Sequence, residues 1–170
     1  MMLRVVEPDE QLVEIAGRTT ERRSSLRALA DWQDVRRQST VPPVSAIIAL
    51  GGFTRTGNRL LLKQDPNPMR CVFILGNEEL QATLGRRLGG AIVDDILPDA
   101  LRTRIGLACA AAVARNEARA ISGAYEGPGG LEVRYRGIFM PVAATDGRHT
   151  GYIFGAFSSR GYLRDDHGAC

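Results

Sequence analysis

Three extended segments joined by short turn sequences constrain the fold of this chain more than any other feature. The sequence predicts strands at 118–126, 131–143 and 150–158, separated by Gly127–Gly130 and by Asp146-Gly147, a dipeptide typical of hairpin turns. Consecutive strands with connections this short must be antiparallel neighbours. The C-terminal half of the chain therefore indicates an antiparallel sheet.

Two further strands and a long helix precede this sheet. Short apolar runs at 59–64 and 70–76 flank Asp65–Pro68, in which two prolines and two turn-forming polar residues favour a strand-turn-strand unit. Pro98 suits a first helical turn, and apolar residues recur at helical spacing over 99–115. The sequence thus predicts an α+β fold in which five antiparallel strands carry this long helix on one face.

Short motifs lie between the second strand and the long helix, and upstream of the first strand. They are Gly76–Leu80, Leu84–Gly90 and Asp94–Pro98, preceded by Leu29–Arg37 with Pro42-Pro43. Together with the order of strands and helices, these motifs resemble the PAS family of sensor domains over about Leu26 to Arg160. The segment Leu29–Arg37 is similar to the prelude of a divergent bacterial branch of stand-alone PAS proteins.

The resemblance implies a PAS-like five-stranded antiparallel sheet with helices packed on one face and an N-terminal helical extension. The expected division is a helical extension at 1–45, a PAS-like domain at 46–160 and a flexible tail at 161–170. Some relatives hold haem through a histidine on the long helix, and flavin photosensors carry a cysteine motif before that helix. Leu101–Arg115 contains no histidine and Asp94–Leu97 contains no cysteine, so no cofactor is expected.

Length and charge exclude several classes of protein. The chain has 170 residues and no apolar run near the ~20 residues that a membrane helix needs, so no membrane role is expected. The N-terminus has too short an apolar stretch for a signal peptide, which favours a cytoplasmic location. The net charge is +3, but 19 acidic residues are interspersed with 22 basic ones, so we expect no nucleic-acid partner.

Candidate catalytic and metal-binding residues are few. His149 and His167 have no second ligand at metal-binding spacing, and Ser122 has no nucleophile motif around it. Cys71 and Cys109 belong to no Cys-x-x-C pair, so each is interpreted as a small core residue, with a redox role as the alternative. The sequence therefore predicts that the chain is not an enzyme.

Two groups of residues remain as candidate sites. The first is expected to line an apolar space between the sheet and the long helix, which is either a solid core or a cavity for a small apolar ligand. Its members are Phe73, Leu97, Leu101, Ile105, Ile121, Tyr135, Phe139 and Ile153.

The second group is expected on the outer face of the sheet. The last predicted strand has apolar residues on both faces, so its outer face needs a cover, and the helix that contains Trp32 is the nearest candidate, in cis or across a dimer. The predicted interface residues are Leu26, Leu29, Trp32, Tyr152 and Phe154.

These expectations define a cytoplasmic PAS-like sensory or interaction domain of bacterial signal transduction without its own output domain. It would act by ligand sensing, by association with a signalling protein partner or as a homodimer. The alternative is a small-molecule-binding protein or an enzyme with an apolar site between the sheet and the long helix.

Overall fold

Among the residues that the structure describes, five antiparallel strands form one sheet that lies between helices. The computed structural model describes residues 20–53, 58–64, 71–76, 78, 81–82, 86–144 and 151–163. The helices are α1 (Thr20–Arg36), α2 (Val44–Ala49), α3 (Val93–Ile96) and α4 (Asp99–Arg115), and a short 3₁₀ turn spans Pro128–Gly130. The strands are β1 (Arg59–Gln64), β2 (Cys71–Leu75), β3 (Arg119–Glu126), β4 (Glu132–Val142) and β5 (Tyr152–Tyr162).

The strand order in the sheet is β2-β1-β5-β4-β3, and every neighbouring pair is antiparallel. The pairs β1–β2, β3–β4 and β4–β5 follow from short connections in the sequence. The pair β1–β5 is different, because it joins two segments far apart in the chain, with Leu61 opposite Phe154 and Leu62 opposite Ile153. This pairing merges the two hairpin units into one sheet.

The five strands and the long helix confirm the α+β PAS-like fold class predicted from the sequence. Helix α4 has the predicted bounds, and it begins directly after Pro98. Strand β5 runs further than predicted, into the segment 161–170 that was expected to be a tail, because Arg160, Gly161 and Tyr162 continue to pair with β4. The predicted turns at Asp65–Pro68 and Asp146-Gly147, and the motif residues Asn77, Glu79, Leu80, Leu84 and Gly85, lie outside the described residues.

The inner face of the sheet packs against α4. Leu101, Ile105 and Cys109 project from one side of the helix into a cluster of buried side chains. From the sheet, Phe139 of β4 and Phe157 of β5 meet them, each with no exposed surface. Burying aromatic and branched side chains of this size contributes roughly 1.5–3 kcal/mol each, so this layer is a main source of stability.

The outer face is covered by α1 and α2. Ala28, Leu29 and Trp32 of α1 and Ile47 of α2 belong to a second buried cluster, which also contains Phe154 of β5. Successive residues of a strand point to opposite faces, so β5 supplies both clusters. The sheet is therefore the middle layer of three, and the region expected as an N-terminal extension forms the outer layer.

We predict that Gly155→Ala destabilises the protein, because neighbouring atoms leave too little room for a side chain at Gly155. A Cβ at this position would lie 2.9 Å from the Ile138 carbonyl oxygen and 2.9 Å from Leu60 Cδ1. Overpacking of this kind costs about 1–3 kcal/mol of unfolding free energy. Urea denaturation followed by circular dichroism measures the change.

Gly89→Ala is the matched control for this substitution. A Cβ at Gly89 would meet nothing within 4 Å, so its unfolding free energy should stay the same or rise slightly. Equal stabilities of the two variants would contradict the close packing at Gly155.

Candidate functional site

The space between the sheet and α4 collects the residues predicted to line a ligand cavity. Seven of them are buried members of one apolar cluster, and Ile121 is partly buried and packs against it. The seven are Phe73, Leu97, Leu101, Ile105, Tyr135, Phe139 and Ile153. The structure therefore brings the whole predicted set together around one core.

The inner cluster also contains residues that the sequence analysis did not select. They come from β1, from the segment before α4 and from β5, and they are Leu60, Leu62, Leu88, Val93 and Phe157. Leu60 and Leu62 alternate with Leu61 along β1, and this alternation predicts that Leu60 and Leu62 share one face of the sheet. Leu88 lies between two arginines and two glycines, in a segment without periodicity, and no pattern in the sequence indicated its burial.

Tyr135 provides the polar group at the edge of the inner cluster. Arg104 of α4 hydrogen-bonds the Tyr135 hydroxyl and also donates through Nη1 to the Ser122 carbonyl oxygen. Burial raises the pKa of Tyr135, and this effect exceeds the lowering by the Arg104 guanidinium. The hydroxyl therefore stays protonated at neutral pH and can donate a hydrogen bond as well as accept one.

A glycine makes room for this tyrosine. Gly123 lies opposite Tyr135 in the β3–β4 register, and a Cβ there would be 2.7 Å from the Tyr135 hydroxyl oxygen. The Tyr135 ring also stacks on Phe157 with centroids 5.9 Å apart and lies 6.1 Å from the Tyr125 ring. Three aromatic side chains thus cross the inner face from β3 to β5 and hold the hydroxyl in place.

Cys71 of β2 and Cys109 of α4 meet inside the same cluster. Both are reduced, 1% and 0% exposed, and they hydrogen-bond each other. Burial raises the pKa of Cys109 well above its usual value, and the hydrogen bond to Cys71 raises it further. The sequence predicted each as a core residue, but spacing along the chain does not tell which strand a helix residue will meet, so their contact was missed.

The outer cluster contains the residues predicted to form an interface. Leu29, Trp32 and Phe154 are buried in it, whereas Leu26 and Tyr152 are half-buried. The Trp32 side chain is 2% exposed, because the sheet of its own chain covers it. In the described residues, α1 therefore covers the sheet of its own chain. An interface with a second chain or a partner through these residues stays a prediction.

Polar contacts fix Trp32 and the helix that carries it. The Trp32 indole Nε1 donates to the Pro141 carbonyl oxygen over 2.8 Å, and the Arg36 guanidinium lies 4.7 Å from the ring centroid. Because an indole N–H must find an acceptor when it is buried, this hydrogen bond fixes the orientation of the ring on β4.

A buried polar network fastens the N-terminal half of α1 to the sheet. Ser24 Oγ donates to Asn58 Oδ1 over 2.7 Å, and Asn58 Nδ2 donates to Ser158 Oγ over 3.0 Å. Arg59 is only 2% exposed, and its Nη1 donates to the Ser24 carbonyl oxygen over 2.9 Å. Such networks specify one arrangement of the packed elements, since each buried polar group needs its partner. These residues have no signal in the sequence, because the partners are far apart in the chain.

The described residues contain no group of three or more His, Cys, Asp or Glu side chains arranged to hold a metal ion. Within the same residues, no helix is both long enough and apolar enough to span a membrane. His149 and His167, for which the sequence predicts no metal-binding role, lie outside the described residues.

Comparison with known proteins gives no family for the chain. No protein-family model matches the sequence, and a search of curated proteins finds no significant relative.

We predict that the buried thiol makes the protein less stable in alkali. The unfolded chain ionises Cys109 near pH ~8.5, whereas the folded chain keeps it protonated to higher pH. The unfolding free energy contributed by the protonated Cys109 thiol is therefore fully present below about pH 8.5. It is lost as the pH rises towards the raised pKa of the folded state, with a slope of at most about 1.4 kcal/mol per pH unit. Urea unfolding in reductant at a series of pH values measures the slope.

Cys109→Ala is the control, because it removes this thiol but keeps Tyr125 and Tyr135, whose ionisation lowers the stability at higher pH. Burial also raises the pKa values of both tyrosines. The variant should show a shallower loss of stability between about pH 8.5 and 10. If the unfolding free energy falls with pH by the same slope in the wild type and the variant, the prediction is wrong.

Proposed function

We propose that this chain is a PAS-like sensory or interaction domain of bacterial signal transduction that acts in the cytoplasm by protein association. The observation that carries the proposal is the architecture: five antiparallel strands in the order β2-β1-β5-β4-β3, with α4 on one face and α1 on the other. This arrangement agrees with the fold implied by the resemblance of Leu26–Arg160 to that family.

The shared strands offer a route from the inner core to the outer helix. In β5, Ile153 and Phe157 belong to the inner cluster, whereas Phe154 and Ala156 belong to the outer one. When a change on one face of the sheet shifts the strand, the side chains on the other face move with it. A signal received in the core would thus reach α1 through β4 and β5.

Close packing of the inner face favours association over ligand binding. At Gly137, a Cβ would lie 3.0 Å from Phe157 and 3.1 Å from Phe139, and Gly123 and Gly155 are similarly close to their neighbours. Side chains already fill the space at these three points. A homodimer or a signalling partner therefore explains the architecture better than a preformed cavity does.

The alternative is a small-molecule-binding protein or an enzyme whose site is the inner cluster. One observation favours it: the apolar inner cluster carries an oriented polar group at its edge, the Tyr135 hydroxyl held by Arg104. A few polar groups in an apolar lining are typical of ligand pockets.

Native mass spectrometry of the purified protein distinguishes the two functions. We expect the native and the denatured masses to agree, and we expect no visible absorption band, because association requires no bound small molecule. A stoichiometric excess mass that disappears on denaturation would contradict the association proposal and support the alternative.

We further predict that association depends on the partly exposed rim of the outer face. Leu26→Glu should shift the protein towards monomer, or abolish capture of a signalling partner, because it places a charge at a half-buried position of α1, the helix that covers the outer face. The matched control is Leu107→Glu, since Leu107 is an exposed leucine on α4, 43% accessible, on the opposite side of the molecule. Light scattering coupled to size exclusion measures the mass.

Trp32→Ala separates an interface role from a core role. Because Trp32 is buried in its own chain, we expect its removal to lower the unfolding free energy by about 3–5 kcal/mol. If Trp32 also carries the contact, the mass will fall as well. A mass that stays unchanged in both Leu26→Glu and Trp32→Ala would refute the predicted interface.

A further inference from the structure

Two thiols meet between the edge strand and the long helix of this protein. Cys71 lies on β2, at one edge of the sheet, and Cys109 lies on α4, which packs across the inner face. The two thiols hydrogen-bond each other inside the inner cluster. To form a disulfide, the two sulfurs must approach from hydrogen-bonding contact to the S–S bond length of about 2.05 Å.

We propose that Cys71 and Cys109 form a dithiol/disulfide site that a hydroperoxide oxidises, thereby joining β2 covalently to α4. The Cys71 sulfur attacks the peroxide, the O–O bond breaks, and Cys71 becomes a sulfenic acid while water, or the alcohol of an organic hydroperoxide, is released. The Cys109 sulfur then attacks the Cys71 sulfur, the S–S bond forms, the S–O bond breaks, and the sulfenic hydroxyl leaves as water with the proton of the Cys109 thiol. Two thiols are oxidised and one peroxide is reduced.

The position of β2 explains why Cys71 reacts first. Within the described part of the chain, β2 pairs with one strand, β1. On its other side, β2 is held by the segment 90–92, where Phe73 N donates to the Ala91 carbonyl oxygen and Gly90 N donates to the Phe73 carbonyl oxygen. Breaking these two hydrogen bonds opens the edge of the sheet next to Cys71. Cys109 lies on the side of α4 that faces the sheet and is 0% exposed, in the interior of the inner cluster.

The buried position also determines the product. Both thiols are almost inaccessible, so oxidation is slow and follows an opening of the edge strand. Once Cys71 is a sulfenic acid, the neighbouring Cys109 reacts with it before a second peroxide arrives. Oxidation of Cys71 therefore ends in a reversible disulfide with Cys109 and not in an irreversible sulfinic acid.

Trypsin separates the thiols into different peptides, so mass spectrometry can test the proposal on the full chain. Cleavage after arginine places Cys71 in peptide 71–86, Cys109 in 105–115 and Cys170 in 165–170. The protein is treated with hydrogen peroxide at a temperature and pH where its circular dichroism stays native, and remaining thiols are alkylated before digestion. We expect the linked peptide 71–86/105–115, which disappears after reduction.

Single alanine variants complete the test. In Cys109→Ala, the thiol that would react with the Cys71 sulfenic acid is removed, so Cys71 should accumulate as sulfinic acid, which it should not do in the wild type. In the wild type, the proposal is overturned if both thiols stay reduced at peroxide levels that fully oxidise them in the urea-unfolded chain. It is equally overturned if they oxidise separately without the linked peptide. These outcomes are read on the wild-type protein, so the proposal stays falsifiable even if an alanine variant does not fold.

Discussion

The structure depends on one constraint: the central strands of the sheet are apolar on both faces. In β5, buried side chains alternate between the two clusters from Ile153 to Phe157. A strand of this kind is stable only when both faces are removed from water. The long helix can cover one face, so a second layer is required. Helix α1 supplies that layer, and it places the only tryptophan of the chain against β4.

The elements that could be predicted are those with a local signal. The strands around Gly127–Gly130 and the helix after Pro98 were recognised from turn residues and periodicity, and the inner-face residues from alternation along the strands. The pairing of β1 with β5 could not be read from the sequence, because it joins segments with no short connection. The contact of Cys71 with Cys109 and the network of Ser24, Asn58 and Arg59 could not be predicted either, because these partners are also far apart in the chain.

The two layers attach to the sheet by different chemistry. Helix α4 packs mainly through apolar side chains, with Arg104 at its rim, whereas α1 combines the apolar contact of Trp32 with a buried polar network at its N-terminal half. Polar networks lose most of their stabilisation when one member is displaced. In the proposed function, α1 is therefore the layer that responds to a change transmitted through β4 and β5, and α4 is the fixed layer.

Hydrogen-exchange mass spectrometry tests most directly whether α1 covers the sheet of its own chain. The account predicts that the amides around Trp32 are protected to a degree similar to those in the middle of β4, and that this protection is independent of protein concentration, because the contact is intramolecular. Protection of α1 that disappears on dilution, while β4 stays protected, would contradict the account and would show that the outer face is covered by a second chain.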